Sequence, residues 1–282
     1  MISSGALVRI AILATWIGLF GFHVASRIWA GRGAERRLSL ETSTGRPLRY
    51  DITMRTADIE RPIGTCLITR ERSPRGYRIS TRVSLADASS VPVLDQLLSR
   101  LGTGDPGERA TLRIVEEFDE LPSISCISMS ASAGTLAAEA RFDLGPGLHG
   151  RWQLDGGPEG RLDFPSFPTE GLHGLQLVPV LPADLVVGDR FAEDTLGVDP
   201  LAAAPIRHRS VYVVASEETL EVGGQTMILL RVEVASDGVP CVQLWCDRTG
   251  TIHVMRARDI GLSLSLRRSH DADSDADAWS AP

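Results

Sequence analysis

From Arg46 onward the chain alternates, and that alternation constrains its fold more than any other feature. The stretch LRYDITMRT puts Leu48, Tyr50, Ile52 and Met54 on one side and Arg49, Asp51, Thr53 and Arg55 on the other. That is the period of a strand with one buried face. TCLITRER, GYRISTRVSL, ATLRIVEEF, SISCISMS and TLAAEARFDL continue in the same style, with RSPRG (Arg72–Gly76) as a turn. After Gly174 the pattern resumes in GDRFAEDTL, RHRSVYVVASEETLEVGGQTMILLRVEVAS, VPCVQLWCDRTGTIHVMRARD and GLSLSLRR. Gly223-Gly224 and the DRTG run of Asp247 to Gly250 read as hairpin turns between these strands.

Two segments depart from the alternation. Residues 145–174 are dense in Gly and Pro and predict a loop across one end of the sheet. SSVPVLDQLLSRLG places Leu94, Leu97, Leu98 and Leu101 at i, i+3, i+4 and i+7, with Ser90 as a cap, Pro92 in the first turn and Gly102 as a stop. This predicts one amphipathic helix whose leucines plug the sheet or cover a cavity as a lid. The expected fold is mainly β, a curved antiparallel sheet of half-barrel or sandwich-like form with one packed helix.

Ahead of the sheet lies VRIAILATWIGLFGFHVASRIW. Seventeen residues between Arg9 and Arg27 carry no formal charge, a helix of about 25 Å, slightly short of the roughly 30 Å hydrocarbon core. Snorkelling arginines at both ends and Trp29 at the interface offset the shortfall. The small-residue exits, at Ala25 or Ala30, do not resemble a good cleavage site, so the segment reads as an uncleaved anchor. The division is then an N-terminal tail (1–9), a transmembrane signal-anchor (10–29), a tether (30–45), an extracytoplasmic β domain (46–268) and a disordered, polar and acidic tail (269–282). Arg27, Arg32, Arg36 and Arg37 follow the apolar run and would favour a cytoplasmic domain, but long domains are exported largely regardless of such charge. The expected location is the inner membrane, single-pass, with the β domain in the periplasm.

Composition removes several function classes. The formal charge is −7 and all 29 basic residues are Arg. The absence of Lys excludes a Walker-type phosphate loop, a Schiff-base lysine and a Ser-x-x-Lys nucleophile. No basic stripe for nucleic acid is visible in the sequence. GPGLHG (Gly145–Gly150) matches G-x-G-x-x-G, yet strand and turn residues follow it rather than a helix, so it reads as a loop. DADSDAD (Asp271–Asp277) resembles the start of a calcium loop, but Ala276 stands where Gly is needed and Pro282 where Glu is needed. EEFDE (Glu116–Glu120) reads as a solvated strand edge. No cofactor is expected, and without C-x-x-C or clustered Cys/His spacing no metal site either.

Four cysteines remain: Cys66, Cys126, Cys241 and Cys246. Cys241 and Cys246 lie five residues apart on one predicted strand, about 16 Å, and should face opposite ways. They cannot bridge each other, which leaves either two bridges to Cys66 and Cys126 or four buried thiols. Cys246, with His253 across the DRTG turn and Asp259 beyond, is the sharpest enzymatic idea. Against it, Cys246 shares a strand face with Val242 and Leu244, and no activating cation or helix terminus is near it in sequence.

The C-terminal third carries Pro182, Asp184, Leu185, Gly188 and Asp189 in LPADLVVGD, the Asp199-Pro200 pair, and Trp245, Asp247 and Gly250 in LWCDRTG. In these it resembles the β domain that precedes the transglutaminase-like core of membrane-anchored bacterial envelope proteins, over residues 46–268. The core itself is absent here, so its catalytic residues have no counterparts. A looser resemblance is to periplasmic lipoprotein-carrier folds, in which a curved sheet wraps a helix. Together these readings predict a non-catalytic envelope module that binds or positions a protein partner. The alternatives are a carrier or sensor of an apolar ligand in a half-barrel cavity and, last, a cysteine-dependent enzyme.

Overall fold

Strands with one apolar face must pair edge to edge and turn that face inward. In a computed structural model this is what the alternating segments do. The structure describes residues 47–56, 59–74, 76–86, 109–120, 123–170, 172, 178–199, 204–236, 239–257 and 261–267. They form β1 (Leu48–Thr56), β2 (Ile59–Ser73), β3 (Gly76–Leu85), β4 (Ala110–Glu120), β5 (Ser123–Ala133), β6 (Leu136–Gly145) and β7 (Gly147–Leu154). β8 (Glu159–Phe164), β9 (Arg190–Asp199), β10 (Ala204–Val222), β11 (Gln225–Ser236), β12 (Val239–Cys246), β13 (Ile252–Ala257) and β14 (Leu262–Leu266) follow.

All belong to one curved antiparallel sheet in the order β8-β7-β6-β5-β4-β3-β2-β1-β14-β13-β12-β11-β10-β9. Each strand lies beside the next one in sequence, and the last lies beside the first. The ring of neighbours is interrupted at one seam, between β8 and β9. The connector after β8 enters that seam: fully buried Leu172 forms a parallel bridge to Asp194 of β9, and its carbonyl accepts a hydrogen bond from the Ile124 amide of β5. The connector thus covers part of the β9 edge, which would otherwise expose unpaired backbone.

The inward face is continuous. Tyr50, Ile52, Ile68, Leu85, Ile127, Leu172, Leu185, Leu244, Met255 and Leu264 are all essentially inaccessible and belong to one cluster spanning both halves of the sheet. The Tyr50 hydroxyl donates to the Ile252 carbonyl at 2.9 Å, tying β1 to β13 across this interior. A second, smaller cluster of Val222, Leu229, Trp245 and Val254 packs separately in the β10–β13 region.

The mainly β expectation holds, as do the hairpins at Gly223-Gly224 and Asp247–Gly250. The residues of the predicted helix (Leu94, Leu97, Leu98, Leu101), the anchor (10–29) and the acidic tail lie outside the described residues. Among the described residues there is no helix long and apolar enough to cross a membrane.

Three expectations need correction. Residues 145–174 are not one loop, because 147–154 and 159–164 are β7 and β8. Two of their glycines, Gly150 and Gly160, sit under rings. A Cβ at Gly150 would stand 2.6 Å from the Phe142 ring, and one at Gly160 2.6 Å from the Trp152 indole. Glycine here makes room for a cross-strand aromatic rather than breaking the strand. Cys241 and Cys246 do not face opposite ways, since both belong to the main interior cluster. Val234 pairs with Val242 and Ala235 with Pro240, so Cys241 is the extra residue of a β-bulge that resets the alternation. Finally, Glu116 is not at a solvated edge; it lies buried on the inward face of β4.

Candidate functional site

The cysteine–histidine pair is not assembled. Cys246 is fully buried, its thiol reaches the Leu230 carbonyl at 3.8 Å, and burial pushes its pKa up to about 12. Cys66 is pushed up to about 12 for the same reason. All four cysteines are buried free thiols. His253 is the unpaired residue of a bulge between β12 and β13, which turns its ring to Asp247: Nε2 stands 3.0 Å from Oδ2. Asp259 lies outside the described residues.

Asp247 organises its own turn instead. Its Oδ1 accepts the Thr249 and Thr251 amides at 2.9 and 3.1 Å and the Thr249 hydroxyl at 2.6 Å. Burial raises the Asp247 carboxyl, but the hydrogen bonds from His253, Thr249 and the Thr251 amide outweigh it and leave the group below its ordinary value. The turn docks on the segment that carries Pro182, Asp184 and Leu185. The Asp184 amide donates to the Arg248 carbonyl at 2.7 Å, and a Cβ at Gly250 (φ +81°) would meet the Leu181 carbonyl oxygen at 2.6 Å. Among the described residues these motifs support the fold and bring no reactive groups together.

GPGLHG is the β6–β7 hairpin, with Gly145 paired to Gly147, and the chain continues into strand. Within EEFDE, Glu117 is bound by Arg78 through Nε at 3.2 Å and Nη2 at 2.7 Å. DADSDAD lies outside the described residues. Among the described residues no group of His, Cys, Asp and Glu is placed to hold a metal ion.

What the strands do bring together is arginine. Cross-strand pairing sets residues side by side on the outward face of β3–β8. Arg141 of β6 is directly opposite Arg151 of β7, which is directly opposite Arg161 of β8. One pair further along the strands, Arg82 of β3 is directly opposite Arg113 of β4. These residues, except Arg82, line a groove of about 870 Å³ together with Arg78, Glu117, Glu139 and Glu159. Arg78 is paired with Glu117, and Arg141 reaches Asp143 at 3.3 Å. Arg82, Arg113, Arg151 and Arg161 have no partner among the described residues.

Like charges placed directly opposite each other destabilise a sheet, and here two such contacts run in series. Five arginines against three glutamates make the lining positive on a chain whose formal charge is −7. Guanidinium forks at neighbouring strand positions suit planar carboxylates or other oxyanions, which they hold by charge-assisted hydrogen bonds.

The sequence reading passed over this site. Its signal was the ten-residue spacing of Arg141, Arg151 and Arg161, which two tight hairpins centred on Pro146 and Gly156 convert into direct neighbours. The signal is invisible while 145–174 is read as a loop.

No family model matches the chain, and no curated protein is similar to it in sequence. Among solved structures it is similar to a β-barrel-like protein of a domain of unknown function, DUF1849, from Brucella abortus. That likeness has 11% identity and a TM-score of 0.44, and covers 79% of this chain and 95% of that one. It is also similar to a DUF1089 family protein from Pseudomonas aeruginosa, at 13% identity and a TM-score of 0.33, over 81% of this chain and 95% of that one. Neither bears on the transglutaminase-like or lipoprotein-carrier resemblance.

Proposed function

We propose that the chain is a membrane-anchored, non-catalytic binding module. Residues 10–29 hold it in the inner membrane, and the outward face of β3–β8 takes an anionic partner in the periplasm. One observation carries this reading: Arg141, Arg151 and Arg161 stand directly opposed on three adjacent strands, and Arg151 and Arg161 have no partner among the described residues. A fold selected for stability alone gains nothing from such a row, whereas a carboxylate-rich segment or other polyanion laid across it relieves the repulsion.

The continuous apolar cluster on the inward face supports a filled core over a carrier cavity. The buried, high-pKa thiol of Cys246, facing a backbone carbonyl, speaks against the cysteine-enzyme alternative.

The test is retention of the full chain, in nonionic detergent, on immobilised polyglutamate. Binding at low ionic strength that salt elutes, and that is lost in the R151E/R161E double variant but kept in R248E, is the expected result. Arg248 is exposed, pairs with Glu217 and does not line the groove, so it controls for charge alone. Equal retention of all three proteins would overturn the reading.

A further inference from the structure

The groove is one end of a longer basic band, and the band starts where the chain leaves the sheet. At the end of β14 the Arg267 amide donates to the Arg49 carbonyl of β1 at 2.7 Å. Arg49 is opposite Leu67 of β2, Leu67 is opposite Arg82 of β3, and Arg82 is opposite Arg113 of β4. The next residues along β6, β7 and β8 on the same face are Arg141, Arg151 and Arg161. Arg267 itself is bound to Asp51 at 2.6 Å. The members whose side chains have no partner among the described residues are Arg49, Arg82, Arg113, Arg151 and Arg161.

Immediately beyond Arg267 the sequence reads RSHDADSDAD, with Asp271, Asp273, Asp275 and Asp277 at every second position. In extended conformation all four carboxylates fall on one side, separated by Ala272, Ser274 and Ala276, which are small enough to lie flat on a sheet. The distances agree. With strands about 4.8 Å apart, Arg82, Arg113 and Arg151 lie about 14, 19 and 34 Å around the sheet from β14. At about 3.3 Å per extended residue, Asp271, Asp273 and Asp277 lie about 13, 20 and 33 Å along the chain from Arg267.

Given the anion-binding reading above, on which this rests, we infer that the occupant of the band is the chain's own acidic segment, Asp271–Asp277. It crosses the strands from β3 to β7, with Asp271, Asp273 and Asp277 set against the guanidinium groups of Arg82, Arg113 and Arg151. It keeps clear of Glu139 and Glu159 by passing on the Arg141–Arg151–Arg161 side of the groove. An external acidic partner must displace this segment, which makes binding competitive with a tethered ligand whose effective concentration is near millimolar.

The test uses the full chain in nonionic detergent, a fluorescent DADSDAD peptide and anisotropy at low ionic strength. The D271N/D273N/D275N/D277N variant is expected to bind the peptide roughly tenfold tighter than the unmodified chain, because the tethered competitor is gone. R151S/R161S should abolish peptide binding in either background. Equal peptide affinity with and without the four substitutions would refute occupancy by the tail and leave the anion-binding face intact. Failure of the peptide where polyglutamate is still held would refute the segment as occupant. Failure of both ligands would refute the face itself. If tail-dependent competition appears only at concentrations where the chain dimerises, the tail belongs to a second copy and the intramolecular assignment is wrong.

Discussion

The two halves of this sheet handle the same amino acid in opposite ways. On the β9–β13 side most arginines are matched, Arg190 being the exception among the described residues. Arg207 reaches Asp194 at 2.7 Å, Arg231 reaches Glu218 at 2.8 Å, Arg248 reaches Glu217 at 3.1 Å, and Arg256 lies 5.0 Å over the Trp245 ring. On the β3–β8 side Arg78 and Arg141 are paired, but Arg82, Arg113, Arg151 and Arg161 have no partner among the described residues, two pairs of neighbours directly opposed. The first face folds its charges into stability; the second keeps them available. Since the surrounding geometry is the same antiparallel ladder, the difference lies in whether a carboxylate stands within diagonal reach: Arg207 is opposite Leu196 and Arg231 opposite Ser216, and their partners Asp194 and Glu218 lie two residues along the neighbouring strand.

The matched face should fail first under mutation. Trp245 is buried, donates to Glu218 at 2.8 Å and carries Arg256 on its ring. Trp245→Ala should therefore cost about 3–5 kcal/mol in a denaturant titration. A loss under 1 kcal/mol would show that the outer cluster bears no weight and would break the comparison.

Asp247 comes next. Asp247→Ala leaves two amides, a hydroxyl and His253 without their acceptor, and should cost about 2–3 kcal/mol. Its carboxyl sits below its ordinary value in the folded protein. The stabilisation it provides is therefore complete above about pH 4, the unfolded value for Asp, and fades as pH falls below that. Unfolding free energies measured from pH 6 down to pH 2 should show an acid loss that is weaker in Asp247→Ala. Parallel curves for the two proteins would contradict the Asp247 network.

The smallest effects discriminate most finely, because they differ in sign. Arg231→Ser removes a partly exposed pair and should cost about 0.5–1 kcal/mol. Arg151→Ser removes a like-charge contact on both sides and should stabilise by a few tenths of a kcal/mol. The second comparison is made with Asp271, Asp273, Asp275 and Asp277 replaced by Asn, so that no tethered carboxylate compensates. Destabilisation by both would mean that Arg151 has a structural partner.

Much of the fold was legible in the residues. LRYDITMRT, GYRISTRVSL and RVEVAS show their buried faces by alternation alone, and Gly223-Gly224 marks its hairpin. The glycines of β7 and β8 were misleading because their reason is tertiary. Only the rings of Phe142 and Trp152, folded across from neighbouring strands, explain Gly150 and Gly160. The bulges at Cys241 and His253 shift a face by one residue and leave no local mark. The inward placement of Glu116 follows from strand phase, which the run of acidic neighbours conceals. The arginine row was hidden for the same reason as β7 and β8, since its members become neighbours only once two hairpins form.

The central claim is that the β3–β8 face gives up stability in order to bind anions. Thermal unfolding of the full chain and of R151S/R161S, both carrying Asn at the four tail aspartates, tests it directly when run with and without saturating polyglutamate. The account predicts that the double variant melts higher without ligand. With ligand the order should reverse, because only the arginine-bearing protein gains the stabilisation that binding confers. An order that polyglutamate leaves unchanged would contradict it.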